Sequence, residues 1–349
     1  MNSASFPTTR FQGSKRSIID WVWKHISSLE FDSILDPFGG TGAVSYRAKK
    51  EGKRVLYNDY LKFNHEIGKA IIENSSVKLT EEDIDYLLSE HPEIKYKTVI
   101  QDEFEGLYYT DKENAFLDMI KSNIQSLDNG YKRAIAYSTL FQAALAKRPY
   151  NLFHRANLYM RTDDVERSFG NKTTWDKSFE EHFREKVVEY NNAIFDNGKQ
   201  NKSFNMNVLN WTNPPKTDVV YLDTPYYDRT KSQGGTDYQF YYHFLEGFLQ
   251  YDRWPDMIDY SVKTNRLQHE PSPWTRKSEI KQAFETVFNL FSDRDIVLSY
   301  NTAGYPEPDE LVDMLSEKKE SVSIHAKEYQ YALSKDKDSA DEVIIVARD

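Results

Sequence analysis

The 349 residues carry a formal net charge of −10, with 39% hydrophobic and 14% aromatic side chains and no cysteine. Missing thiols exclude disulfides, thiolate catalysis and thiolate zinc sites, and no run approaches the roughly 18 apolar residues that cross a membrane. The chain is longer than the roughly 250–300 residues at which a single core stops growing, so one α/β domain carrying an insertion is expected.

The N-terminal stretch has no apolar segment of the secretory kind, and a cytoplasmic protein is expected. The acidic total argues against coating nucleic acid by bulk electrostatics, but it averages segments of opposite sign. Residues 81–105 hold nine acidic and two basic side chains, whereas residues 131–161 hold six basic and no acidic ones. A local basic surface is therefore predicted within 131–161.

In chain order, Phe11-Gln12-Gly13-Ser14-Lys15 precedes a helical pattern with Ile18, Ile19, Val22, Ile26 and Leu29 on one face. Ser33–Asp36 reads as a short strand, followed at once by Pro37-Phe38-Gly39-Gly40-Thr41-Gly42 and a helix over Ala43–Lys50 that Gly52 ends. Arg54–Asp59 supplies a second strand, which ends on an acid. Glycines let a backbone approach a ligand at a helix start, and an acid at the next strand end accepts hydrogen bonds from ribose hydroxyls. The GxGxxG fingerprint of dinucleotide enzymes is absent, and a tight crossover with no ligand is the plain alternative.

A helix over 61–74 leads out, and the α/β rhythm then stops until the chain reaches position 203. Helices are predicted over 80–88 with a Thr80/Asp83 cap, 114–127, 132–146 and 178–194. Between the last two lies Lys147-Arg148-Pro149-Tyr150-Asn151-Leu152-Phe153-His154-Arg155-Ala156-Asn157-Leu158, whose interleaved basic, amide and aromatic residues suit phosphates and base edges. The bland alternative is a solvated basic loop with Tyr150 and Phe153 in a core.

The α/β pattern resumes over 203–209 and reaches Val219-Val220-Tyr221-Leu222, an unbroken apolar run that suits a strand covered on both faces. It stops on Asp223-Thr224-Pro225-Tyr226, at the carboxyl end where open α/β sheets bind ligands. The polar loop 228–237 reads as a mobile lid, and 238–250 as a helix rich in aromatics. A helix carrying Ile280, Phe284, Val287, Phe288 and Phe291 precedes a strand over 295–300. A helix over 310–315 and two strands over 321–333 and 341–348 close the chain as an antiparallel hairpin.

With these residues in hand the chain resembles the S-adenosylmethionine-dependent DNA adenine-N6 methyltransferases of the Dam-like type, in which cofactor motifs precede the target-recognition insert and the catalytic motif follows. Phe11-Gln12-Gly13-Ser14-Lys15 looks like the family's aromatic-x-Gly-x-Lys motif. Asp36-Pro37-Phe38-Gly39-Gly40-Thr41-Gly42 is similar to its (Asp/Glu)-Pro-Phe-x-Gly-x-Gly turn, and Asp223-Thr224-Pro225-Tyr226 matches its Asp-Pro-Pro-Tyr motif in three of four positions. The resemblance covers nearly the whole chain. It implies a class I methyltransferase, Rossmann-like sheet, mostly parallel with a C-terminal antiparallel hairpin, formed by residues 1–74 and 201–349. Residues 75–200 would be a mainly helical target-recognition insert.

Carried onto this sequence, the resemblance implies S-adenosylmethionine bound by Phe11, Lys15, Asp36, Phe38, Gly40, Gly42, Asp59 and Asn207, and no metal. Asp223, Thr224, Pro225 and Tyr226 would act on an adenine flipped from double-stranded DNA, contacted through Lys147, Arg148, Tyr150, Asn151, His154 and Arg155. A restriction-modification methylase with a cognate endonuclease, or an orphan or phage methylase, is expected. Two departures stand out: Thr224 replaces a proline, and Asn207 replaces a frequent acid. The rival expectations are methylation of another exocyclic amine, on cytosine N4, RNA or a protein glutamine, and a DNA-binding relative that has lost catalysis.

Overall fold

The computed structural model of the chain describes residues 4–164, 172–230, 234–327 and 341–349. Internal contacts divide it into a sheet unit, Lys15–Tyr60 with Asn197–Asp237 and Glu270–Asp349, and a helical unit, Met1–Ser14 with Leu61–Asp196 and Tyr238–His269.

Among the described residues, the main sheet of the sheet unit has seven strands: β1 (Ser33–Asp36), β2 (Arg54–Asn58), β3 (Lys202–Phe204), β4 (Val219–Leu222), β5 (Asp295–Asn301), β6 (Ser321–Lys327) and β7 (Glu342–Arg348). Their order is β3-β2-β1-β4-β5-β7-β6. The first five run parallel, with Ile34 opposite both Val55 and Val219, and Leu35 opposite Leu56 and Val220. β7 lies antiparallel between β5 and β6. This is the mostly parallel sheet with a closing antiparallel hairpin that the sequence predicts. Every residue of β1 and β4 is buried, which explains why Val219–Leu222 reads as a continuous apolar run rather than an alternating one.

One face of the sheet is sealed by the helices Ile280–Leu290 and Pro308–Ser316. Phe284, Val287, Phe288 and Leu311 enter a core with Leu35, Leu56, Val220, Leu222, Ile296 and Leu298. The Phe284 ring meets Trp274 at 5.2 Å and Tyr300 at 5.7 Å, both edge-on. That packing fixes Trp274 and Tyr300 beside the carboxyl ends of the central strands. A two-stranded ribbon, Tyr227–Asp228 with Gly304–Tyr305, continues from the loop after β4.

The helical unit is built on Asp111–Ser126, Gly130–Ala146 and Phe179–Ala193. Thr80, Thr110 and Ser178 each close a capping box at a helix start, so the first-turn donors are met locally. Gly130–Ala146 is buried along almost its whole circumference, as expected of a helix at the centre of a bundle.

Several boundaries differ from those predicted. The segment 203–209 is a strand only over Lys202–Phe204, after which a 3₁₀ turn at Val208–Asn210 takes over. The aromatic segment 238–250 breaks at Tyr242 into Tyr238–Tyr241 and His243–Phe248. It joins the helical unit together with 61–74 and Met1–Ser14, so that unit recruits chain from both sides of the expected 75–200 insert. The hairpin connection and part of the 228–237 loop lie outside the described residues.

Phe284 is fully buried and Ile324 on β6 is 42% exposed. Phe284→Ala should therefore lower stability by about 3–5 kcal/mol, and Ile324→Ala by about 0.5 kcal/mol or less, in urea titrations monitored by tryptophan fluorescence.

Candidate active site

Three carboxylates sit at the carboxyl ends of three neighbouring strands: Asp36 ends β1, Asp59 follows β2 and Asp223 follows β4. The turn after β1 owes its shape to glycine. Gly40 and Gly42 have φ of +51° and +78°, and Gly42 is the residue from which the helix Ala43–Lys50 starts. A Cβ on Gly39 would lie 2.0 Å from Cε2 of Tyr57, whose hydroxyl donates to the Gly40 carbonyl at 2.7 Å. The same turn is tied to β2 twice more, by Gly39 N–H on the Asn58 carbonyl and by Gly40 N–H on Asp59 Oδ2, both 2.8 Å.

Asp36 is 2% exposed, and the Ser45 hydroxyl donates to its Oδ2 at 2.7 Å. Its Oδ1 is buried with no hydrogen-bond partner. Burial, with Asp223 and Asp59 adding repulsion against the help of Ser45, pushes the carboxyl up to about 8. Phe38 meets Trp274 edge-on at 5.3 Å.

Asp223 is met by Lys15, whose Nζ lies 2.9 Å from its Oδ1 and 4.0 Å from Oε2 of Glu342 at the start of β7. Burial raises the Asp223 carboxyl above its ordinary range, and the Lys15 ammonium pulls it back. Burial likewise raises Glu342, which Lys15 also counteracts. Thr224 is 3% exposed, and its Oγ1 is buried with no hydrogen-bond partner. The half-buried Tyr226 leans edge-on against Tyr300 at 5.8 Å. Asn207 caps the 3₁₀ turn, its Oδ1 accepting from the Leu209 N–H at 3.1 Å, so one acceptor position of that amide serves the backbone.

The sheet unit therefore brings together Lys15, Asp36, Phe38, Gly40, Gly42, Asp59, Asn207 and the Asp223–Tyr226 run. Phe11 belongs to the helical unit, where it stacks on Phe63 at 5.3 Å and meets Tyr242 edge-on. Three residues at the site gave no sequence signal. Asn58 donates to the Pro37 and Met206 carbonyls and accepts from the Met206 N–H, and Asn205 donates to the Asp59 and Tyr60 carbonyls. They lock the loops after β1, β2 and β3 to one another, and Glu342 is the third.

The basic stretch requires a correction. Lys147 and Arg148, expected on DNA, are 2% and 1% exposed. Lys147 Nζ lies 2.9 Å from Glu113 Oε1 and donates to the Trp175 and Lys177 carbonyls. Arg148 donates to three backbone carbonyls and to Asn157. Arg161 shares Glu113 with Lys147, at 2.6 Å. The charges that looked like a surface are taken up inside the helical unit, while Arg155 is exposed and Tyr150 is 46% exposed.

The profile of the D12 class N6 adenine-specific DNA methyltransferases matches residues 11–265. The chain belongs to this family. It is a DNA methyltransferase acting on adenine, and its sheet is the class I methyltransferase fold. Among its relatives, the type II methyltransferase M2.HphI of Haemophilus parahaemolyticus is 28% identical over 93% of this chain and 92% of its own. The modification methylase StsI of Streptococcus sanguinis is 26% identical over 88% of this chain but 46% of its own. M.FokI of Planomicrobium okeanokoites, also a type II methyltransferase, is 25% identical over 96% and 51%. The chain thus spans nearly all of the first relative and about half of the other two. Among the described residues no helix is long and apolar enough to cross a membrane.

The raised Asp36 fixes the sign of one pH effect. An acid whose folded pKa lies above its unfolded value binds more protons folded than unfolded, so its contribution to stability falls as pH rises from about 4 towards 8. Asp36→Asn should remove that contribution. The melting temperature of the variant relative to wild type should therefore rise between pH 5 and pH 8 in buffers of equal ionic strength, and a constant difference would contradict the assignment.

Proposed function

We propose that this D12-class enzyme takes its methyl group from S-adenosylmethionine and transfers it to the exocyclic amine of an adenine flipped out of double-stranded DNA. The observation that carries the reading is the Lys15–Asp223 pair at the carboxyl end of β4, beside a glycine turn flanked by two further acids. The donor set suits that cofactor. Asp36 has an orphaned buried oxygen and two acidic neighbours, a setting that a cationic ligand relieves. Asp59 would accept from ribose hydroxyls, and the Phe38–Gly42 turn and Asn207 would line the remainder.

When bound, S-adenosylmethionine supplies an electrophilic methyl group on a sulfonium. The amine of adenine is a weak nucleophile because its lone pair is delocalised into the ring. Asp223 and the Thr224 carbonyl would accept hydrogen bonds from its two N–H groups, localising the lone pair on nitrogen and directing it at the methyl group. Hydrogen bonding to a partly desolvated carboxylate is stronger than in water, and the Lys15 ammonium offsets part of the burial that raises Asp223. Tyr226, steadied by Tyr300, offers a ring face to the flipped base. Transfer would form the N–C bond as the S–CH3 bond breaks, with S-adenosylhomocysteine leaving with the bonding electron pair and the surplus proton on nitrogen passing to water or to Asp223.

The role given to residue 224 uses its backbone carbonyl, so a threonine there is compatible with turnover. Pro225 holds the preceding residue in extended geometry, because its ring restricts its neighbour as well as itself. DNA recognition is assigned to the helical unit, with Tyr150, Asn151, His154 and Arg155 as its contacts. The modification-methylase names of the relatives support a restriction-modification setting with a cognate endonuclease.

Asp223→Ala should abolish labelled-methyl transfer while leaving DNA affinity largely intact, because the lost interaction belongs to the transition state. Near-normal turnover of that variant would sink the reading. Asp59→Ala should weaken S-adenosylhomocysteine binding by about 1.5–3 kcal/mol in calorimetry, and unchanged affinity would remove Asp59 from the cofactor site.

A further inference from the structure

Arg148 is a guanidinium buried to 1% exposure, and none of its hydrogen-bond partners is a carboxylate. Its Nε donates to the Leu152 carbonyl at 3.2 Å and Nη1 to the Tyr108 carbonyl at 3.2 Å. Nη2 donates to the Arg155 carbonyl at 2.8 Å and to Asn157 Oδ1 at 2.5 Å. The cation also lies 4.5 Å from the Tyr108 ring centre and 5.4 Å from that of Phe153. Burial pushes it down to about 10, so it stays charged at neutral pH. A buried charge without a counter-ion is costly unless its donors are met, as those of Arg148 are.

Here it organises the loop that follows it. Three of its four acceptors belong to residues 152, 155 and 157, so one side chain closes the loop from within, using the fixed fork of the guanidinium. The Asn151 N–H on the Arg148 carbonyl, at 3.1 Å, completes the turn. At its tip Tyr150 and Asn151 have consecutive φ values of +62° and +56°, in the left-handed region that favours glycine. Such strain survives only when the surroundings over-determine it, and it clusters at ligand sites. Leu152 and Phe153 bury the loop's base at 6% and 0% exposure, yet the ring at its strained tip is 46% exposed. The exposed Arg155 lies nearby in sequence, and His154 meets Tyr150 edge-on at 6.5 Å.

We propose that Tyr150 is a base-contacting, specificity-determining residue and that Arg148 is the positioning residue that aims it. The proposal rests on the helical unit being the DNA-binding part. An aromatic ring on a turn held from within makes a stacking platform that loses little entropy on binding. Arg148 presents no donor to solvent and so contributes no phosphate contact. That role falls to Arg155.

The test measures affinity for a duplex carrying the methylation site mapped in a host expressing the enzyme, against a duplex with that site scrambled, over a range of salt. Tyr150→Ala should weaken the mapped duplex by about tenfold and leave the scrambled one near wild type. Arg148→Lys keeps the charge and loses the fork. It should reduce the mapped-to-scrambled ratio by about tenfold, with S-adenosylhomocysteine affinity and the slope of log Kd against log salt unchanged. Asn157→Ala, which removes one acceptor, should shift the ratio in the same direction and takes the place of Arg148→Lys if that variant does not fold. A salt slope reduced by about one in Arg148→Lys would make Arg148 a phosphate contact and overturn the proposal. So would an unchanged ratio in folded Tyr150→Ala and Arg148→Lys when Arg155→Ala still lowers the slope. If Tyr150→Ala and Arg155→Ala both leave affinity and slope untouched, the assignment of the helical unit to DNA fails as well.

Discussion

Three carboxylates at the ends of adjacent parallel strands, with one ammonium among them, set the terms for the rest of the sheet unit. Asp36, Asp59 and Asp223 are brought close by the β2-β1-β4 order, and like charges in a poorly solvated site cannot all ionise freely. The site resolves this unequally. Asp36 holds its proton to about 8, Asp223 is paired with Lys15, and Asp59 anchors the Gly40 N–H. The imbalance left over is negative, and a methyl donor that carries a sulfonium and an ammonium is the kind of ligand that would restore it. Under the proposed function, cofactor binding and the ionisation of Asp36 would be coupled.

The loops that hold these acids depend on amides more than on charges. Asn58 and Asn205 satisfy carbonyls after β1, β2 and β3 that would otherwise be orphaned where the strands end. Gly39 permits the Tyr57 ring to pass beneath the turn. In the helical unit the same principle recurs with cations, because Lys147 and Arg148 are spent on carbonyls and on Glu113, and what reaches solvent is a short, stiff loop. Rigid scaffolding under a few exposed groups suits a site that must hold a reacting atom to within a fraction of an ångström.

Much of this was legible in the sequence because the period and order of the elements carry it. The unbroken apolar run at Val219–Leu222 announced a central strand, Ser33–Asp36 read as a short strand before a glycine turn, and the acids that end both marked the candidate site. The glycines of the Phe38–Gly42 turn were readable because left-handed backbone leaves few other choices. The basic stretch misled because charge patterning cannot see a tertiary partner. Glu113 stands on a different helix from the one that Lys147 ends, and the acceptors of Arg148 are mostly backbone carbonyls. Contact-based grouping also depends on tertiary partners, and 61–74 and 238–269 join the helices through packing that leaves no local mark. Asn58, Asn205 and Glu342 act on backbone or on a single lysine, and residue type alone gave no reason to select them.

The central claim is that the Asp223-Thr224-Pro225-Tyr226 loop directs a methyl group onto the exocyclic amine of adenine. Incubation of the enzyme with methyl-labelled S-adenosylmethionine and duplex DNA, followed by digestion and chromatography of the nucleosides, reads the outcome directly. The account predicts label in N6-methyldeoxyadenosine for the wild type and none for Asp223→Ala. Label in N4-methyldeoxycytidine, or in no nucleoside of any DNA tested, would contradict it.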